Sequence, residues 1–219
     1  MTRRLASLCV IALIASGGVA QSVADRLKDR IPASAVAAVD SMVKVAVASG
    51  LPGEPLVQKA LEGSAKGATS DRIIAAVVAK VSELRSAQVL LQRVNAERTP
   101  APAEIVGVAA ALGRRLPPEL AERVATALPG EPPGPAMHAV ADLVGHGIAE
   151  DSAVDLVVDA ANAGVRGSRL LDVAAATVQE LQRGRSHADA LSAVRAALPG
   201  VPRPPQPSRN TLIRARRPG

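Results

Sequence analysis

Residues 50–84 read GLPGEPLVQKALEGSAKGATSDRIIAAVVAKVSEL, and the chain is organised around this stretch. Leu51-Pro52-Gly53 is a turn. Glu54 then places a negative charge at the positive end of a helix, and Pro55 suits a first helical position, where no backbone N–H is needed. That helix is expected to run to about Lys66 and to stop at Gly67. Thr69, Ser70 and Asp71 offer caps for a second, longer helix over about 71–96, whose apolar positions Ile73, Ile74, Val77, Val78, Val81 and Leu84 continue to Leu90, Leu91 and Val94.

A diverged copy of the stretch occupies residues 147–181, displaced by 97 positions without a gap. Gly50 pairs with Gly147, Val57 with Val154, Gly67 with Gly164, Arg72 with Arg169, Glu83 with Glu180 and Leu84 with Leu181. Leu128 to Pro132 repeats the LPGEP string, but the residues after Pro132 do not match those after Pro55, so shared loop chemistry is the expectation there. Gly113, Gly130, Gly147 and Gly164 recur every 17 residues, the interval that also separates Gly50 from Gly67. Prolines near helix starts and glycines past helix ends give each interval about three turns of helix and a short connection.

Upstream, Ile31-Pro32 ends a charged lead-in over 21–33, and Ser34 suits a cap for a helix with Val36, Val39, Val43 and Val47 on one face. Asp40 and Lys44 form an i,i+4 pair on another face, and Gly50 closes the helix. Downstream, two last helices are expected near 168–182 and 186–198. The fold class is therefore all-α: an array of short antiparallel helix hairpins, solenoid-like or bundled, over 34–198, with one longer helix near 71–96. Paired helices every 34 residues resemble helical solenoids in period, but the tetratricopeptide pattern needs aromatic positions that this chain lacks.

The chain has 219 residues, 48% of them hydrophobic, and contains no Phe, Tyr or Trp. Its core must be built from Ala, Val, Leu and Ile in closely spaced layers, and sites that stack bases or sugars or cage cations on rings are excluded. Residues 1–20 read as a secretory signal. Arg3 and Arg4 form a basic start, 5–15 an apolar run, and Gly18-Val19-Ala20 small residues before a cut between Ala20 and Gln21. The uncharged stretch is shorter than the ~20 residues a membrane span needs. Cys9, the only cysteine, falls inside this segment, so the mature chain would hold neither disulfides nor thiolate metal sites. The location expected is periplasmic or extracellular.

Of the formal charge of +6, two units come from the signal arginines and five from the arginines after Gly200, with no acid in either segment, which leaves residues 21–200 at −1. With a near-neutral body, the pI of 10.4 is no sign of nucleic-acid binding by that body, and a nucleic-acid partner is not expected. The tail over 199–219 is Pro-rich and is expected to be flexible; Arg214, Arg216 and Arg217 suit an anionic envelope polymer or lipid surface.

One helix carries His138, Asp142 and His146 at i, i+4 and i+8, a spacing that can align ligands for a metal and would make the chain a small metal-dependent enzyme. The plainer reading buries Met137, Val140, Ala141 and Val144, leaves His138 and Asp142 on the wet flank, and places His146 at the negative end of the helix dipole. No nucleophile–base arrangement or phosphate loop stands out, and no cofactor is implied. Arg72 and Arg169 stand at helix starts, where a cation is electrostatically misplaced. They either pair with nearby acids such as Asp71, Glu54, Glu62, Asp151 or Asp159, or face a groove for an anionic partner. Together with Lys59 and Lys66 they are the interaction candidates. The expected function is a non-enzymatic protein- or peptide-binding module of the cell envelope, with self-assembly as a further expectation because a Val-rich first helix does not bury all its apolar surface alone.

Overall fold

The computed structural model describes residues 22–198. The expected signal with its Ala20–Gln21 cut, and the arginine-rich tail, lie outside the described residues. Those described form ten α-helices and no strand, and none of the helices is long and apolar enough to cross a membrane.

A short helix, not expected from the sequence, forms within the lead-in over 21–33. α1 spans Val23–Leu27, because the Ser22 side chain accepts a hydrogen bond from the Asp25 N–H and Leu27 is fully buried. α2 spans Ala33–Ala48 with Pro32 at its cap, so Ser34 lies inside the helix rather than capping it. Its hydroxyl instead meets that of Ser70 at 2.5 Å. The buried stripe of α2 is Ala35, Val39, Val43 and Ala46, and Val47, expected on that face, is 54% exposed. The stripe is narrow because alanines fill two of its four places and let the neighbouring helices approach closely.

α3 spans Glu54–Ala65 and α4 spans Ser70–Val94, close to the expected bounds. At 25 residues α4 is about 37 Å long and packs against α2, α3, α5 and α6. Its start lies beside the start of α2 (Ser34 to Ser70), and the Gln88 side chain donates to the Ser49 carbonyl at 3.3 Å beyond the end of α2. α2 and α4 are therefore parallel. The remaining helices are α5 (Pro102–Gly113), α6 (Pro118–Ala127), α7 (Pro133–Gly145), α8 (Glu150–Asn162), α9 (Arg169–Gln182) and α10 (His187–Ala197). One chain of contacts runs α2, α4, α5, α7, α9, and another runs α6, α8, α10.

Helix ends explain which glycines matter. After α2 the Gly50 N–H donates to the Val47 carbonyl and the Leu51 N–H to the Ala46 carbonyl. After α7, Gly147 donates to Val144 and Ile148 to Leu143. This is the Schellman closure, with a left-handed residue at C′ (φ +78° and +85°) and a buried apolar side chain, Leu51 or Ile148, behind it. Gly67 and Gly164 close α3 and α8 in the same way.

Gly113 and Gly130 do not belong to this set, so the 17-residue interval overstates the regularity. Gly113 is the last residue of α5, and Arg115, at φ +65°, takes the left-handed place with Leu116 buried behind it. Gly130, at φ +88°, comes after Pro129 in a turn closed by the Glu131 N–H on the Leu128 carbonyl, the Pro-Gly signature of a type II turn. Gly53, in the other LPGEP string, has φ −79°. Even the loop chemistry of the two strings differs.

The aromatic-free core relies on Leu27, Leu56, Ile73, Leu84, Ile105, Met137, Leu143 and Leu156, all buried, and on backbones brought close together. A Cβ on Gly107 of α5 would stand 3.2 Å from the Cα of Gly134 in α7, and one on Gly53 would stand 2.8 Å from Val47 Cγ2. Val47 is thus exposed on one side and packed on a glycine on the other.

Candidate functional site

The α7 residues singled out for metal binding do not converge. His146 hydrogen-bonds the Asp142 carbonyl through Nδ1 at 2.8 Å, one turn back on its own helix, while the Asp142 carboxylate stays 3.9 Å away. His138 is half-buried against α5. Burial, and then the positive charge of Arg114, push its pKa down, partly opposed by a hydrogen bond with the Gly107 backbone. Neutral His138 is thus a packing residue at the α5–α7 contact. Among the described residues no group of three His, Cys, Asp or Glu side chains is placed to hold a metal ion. Met137 and Val140 are buried as expected, and Ala136, Ala139 and Leu143 join them.

The four cationic candidates divide. Lys59 and Lys66 both reach Glu62, Lys59 at 3.1 Å, and these bonds hold the Glu62 carboxyl below its ordinary range. Both lysines therefore have a structural role on the surface of α3. Arg72 and Arg169 form no ion pair among the described residues, so the first of the two alternatives read for them is not seen there. Asp151 is taken by Arg123 at 2.7 Å and Asp159 by Arg195 at 2.9 Å. Arg72 is exposed; Arg169 is partly covered, with its Nε buried and unpartnered among the described residues. They sit at corresponding helix starts, and the structure does not bring them together with Lys59 and Lys66 into one site.

A different pattern was missed. Arg26 grips Glu54 through two hydrogen bonds of 2.8 Å, tying α1 to the start of α3, and Arg123 reaches Asp151 at 2.7 Å, tying α6 to the start of α8. Both members of the second pair stand 97 positions after those of the first. Arg26, helped by Gln58, lowers the Glu54 pKa to about 2. The signal was present in the sequence as an arginine 28 residues before the helix-start acid in both pairs, but a separation of that length has no local periodicity to mark it.

Open clefts run along α4. One of about 540 Å³ lies at its C-terminal end, where Leu91, Val94 and Asn95 face Thr126, Leu128 and the Pro129 to Pro133 turn. Its rim charges are already satisfied: Arg98 bonds Glu104 at 2.8 Å, and Arg166 bonds Glu131 at 3.0 Å. A second, of about 700 Å³, lies between α3 and α4 with Gln58, Lys59, Glu62, Ala76, Ala79 and Lys80 on its walls. Both are open troughs with apolar or small-residue floors and paired charges at their edges. Comparison of the chain with family models, with curated proteins and with solved structures finds no match.

Proposed function

We propose that this chain is a non-enzymatic helical-repeat module, exported after removal of residues 1–20, that binds a protein or peptide partner in the clefts between stacked helix hairpins. The observation that carries the reading is the cleft at the end of α4, whose apolar floor (Leu91, Val94, Leu128) is framed by three prolines and by charges already paired. A trough of this kind takes apolar side chains of an extended peptide. The tail arginines Arg214, Arg216 and Arg217 would hold the module near an anionic polymer or lipid surface.

We further propose that two units related by 97 residues build the array. The recurring Arg–carboxylate tie, the matching Schellman ends at Gly50 and Gly147 and at Gly67 and Gly164, and the buried pairs Leu27/Val124, Ile31/Leu128, Val43/Val140 and Leu51/Ile148 support this. On that basis the repeat reaches back past Gly50 to α1.

Selection of peptides from a display library on the purified chain tests the binding reading. Selected peptides should lose at least about tenfold in affinity, roughly 1.4 kcal/mol, when Leu91→Glu or Val94→Asp is introduced with the fold intact by circular dichroism. Peptides insensitive to both changes would remove the cleft from consideration. N-terminal sequencing of the exported product should begin at Gln21, and a retained Met1 would sink the export reading.

A further inference from the structure

The outward side of α6 lies at the centre of a three-helix face. α6 packs on both α4 and α8, and Glu122 lines the hollow on each side of it. The hollow towards α4, of about 340 Å³, is lined by Val89, Leu90, Leu112 and Pro118, with Arg85 beside them. The hollow towards α8, of about 710 Å³, is lined by Ala127, Val154 and Val158, with Glu119 and Asp155 beside them. The apolar surface continues along α4, where Val78, Ser82, Arg85 and Val89 follow helical spacing and the two valines are 53% and 47% exposed.

The charges on this face fall into two classes. Arg93 and Glu122 neutralise each other at 3.0 Å, as do Arg123 and Asp151 at 2.7 Å. Arg85, Glu119 and Asp155 are exposed and form no ion pair among the described residues. The unpaired cation thus stands on the α4 side and the unpaired acids on the α8 side, with apolar residues beside each. A surface divided in this way is complementary to itself: half a turn about an axis along α6 lays the α4 side of one copy on the α8 side of another. The Val-rich α2 also exposes Val45, but its Asp40 and Lys44 pair with each other at 2.7 Å and offer a second copy no such complement.

We propose that a second copy of this chain docks on the α4–α6–α8 face as a two-fold dimer, in which Arg85 of each copy meets Glu119 and Asp155 of the other and the valines of the two hollows cover one another. Three helices at roughly 9 Å spacing, over roughly 22 Å of α4 from Val78 to Arg93, give a footprint of about 600 Å² per copy. That area lies at the low end of specific interfaces, so the dimer is weak and reversible, and the unpaired charges set its register. The proposal goes beyond the peptide-binding reading and does not rest on it, since Leu91 and Val94 line neither hollow.

Sedimentation velocity of the full chain between about 5 and 500 µM should show the mean mass rising from one chain towards two. Raising salt from about 0.05 to 0.5 M should weaken the dimer at least about threefold. Arg85→Glu, and separately Glu119→Arg with Asp155→Arg, should each raise the dimer Kd at least about tenfold, with the fold intact by circular dichroism. A chain carrying all three changes regains opposite charges across the axis, and its Kd should return to within about threefold of the unmodified chain. A chain that stays monomeric over this range, association indifferent to the charge reversals, or no recovery in the triple variant would each overturn the proposal. Peptide binding in the α4 cleft has its own readout in the Leu91 and Val94 variants, so the two readings fail separately.

Discussion

Gly107→Ala and Gly113→Ala make the same chemical change in the same helix, and the structure assigns them opposite signs. Alanine is favoured over glycine inside a helix by about 0.5–1 kcal/mol, mostly through the freedom glycine loses on folding. Gly113 lies at the end of α5, and a Cβ there meets nothing within 4 Å, so Gly113→Ala should keep the full gain. At Gly107 the added Cβ stands 3.2 Å from the Gly134 Cα, an atom of backbone that cannot rotate away. It is also held just after Pro132 and Pro133 at the start of α7, where the chain is least able to yield.

Overpacking of this kind costs about 1–3 kcal/mol, so the net effect of Gly107→Ala is a loss of about 1 kcal/mol. At this chain length, a difference of about 2 kcal/mol between the variants corresponds to a separation in Tm of about 4–8 °C. Thermal unfolding by circular dichroism, checked with urea midpoints, measures it. Gly107→Ala at or above the Tm of Gly113→Ala would refute the claim that α5 and α7 meet backbone to backbone.

Particular contacts set three further outcomes. Glu54 has a folded pKa of about 2 against an ordinary 4.5, so its ionised form is favoured in the folded state. Its contribution is present above about pH 4.5 and lost as pH falls towards 2; because the carboxylate is more than half exposed, it amounts to less than about 1 kcal/mol. The Tm gap between wild type and Glu54→Gln should therefore close between about pH 5 and pH 2, and a gap independent of pH would count against the Arg26 tie. Arg115→Gly should stabilise by about 0.5–1 kcal/mol, because Arg115 holds a Schellman C′ place at φ +65° with a side chain, whereas Gly147→Ala should destabilise by about 1 kcal/mol; urea midpoints read both. Micromolar zinc should leave the Tm within about 1 °C of its metal-free value, since His146 Nδ1 is held by the Asp142 carbonyl and His138 turns to α5; a rise of several degrees abolished by His138→Ala would show a metal site.

The helices of residues 50–84 were legible because proline, acid and glycine act through local geometry: Pro55, Glu54 and Gly67 each do in the structure what their chemistry requires within one turn. Legibility failed where a tertiary partner decided the outcome. Val47 satisfies the helical period of α2 yet lies exposed, because the buried stripe is set by Ala35 and Ala46, residues whose small size hides them from a search for large apolar side chains. Gly113 keeps the interval of 17 and still does not close its helix, because Leu116 is the buried residue that fixes the closure and so places the left-handed position at Arg115. Of the site candidates, His138 and Asp142 lie within α7 and His146 is the capping residue just past its end. The His138 side chain is set by α5, which the period does not see, and that of His146 by the Asp142 carbonyl one turn back.

The features that most strongly suggest two related units are the ones that stabilise the fold least. Left-handed closures and buried aliphatic stripes recur in any array of short helices, because backbone hydrogen bonding and apolar burial demand them. An arginine 28 residues ahead of a helix-start acid is under no such demand: the Arg26–Glu54 and Arg123–Asp151 pairs are solvent-exposed, of a kind contributing roughly 0–1 kcal/mol, and many other surface residues would serve. Recurrence of a dispensable tie at the same displacement that relates α3 to α8 therefore separates inheritance from shared helix grammar better than the glycines do. Loss of either pair should leave the fold standing. If Arg26→Ala and Arg123→Ala each lower the Tm by more than about 5 °C, the ties are structural requirements, and their recurrence loses its force as a mark of common origin.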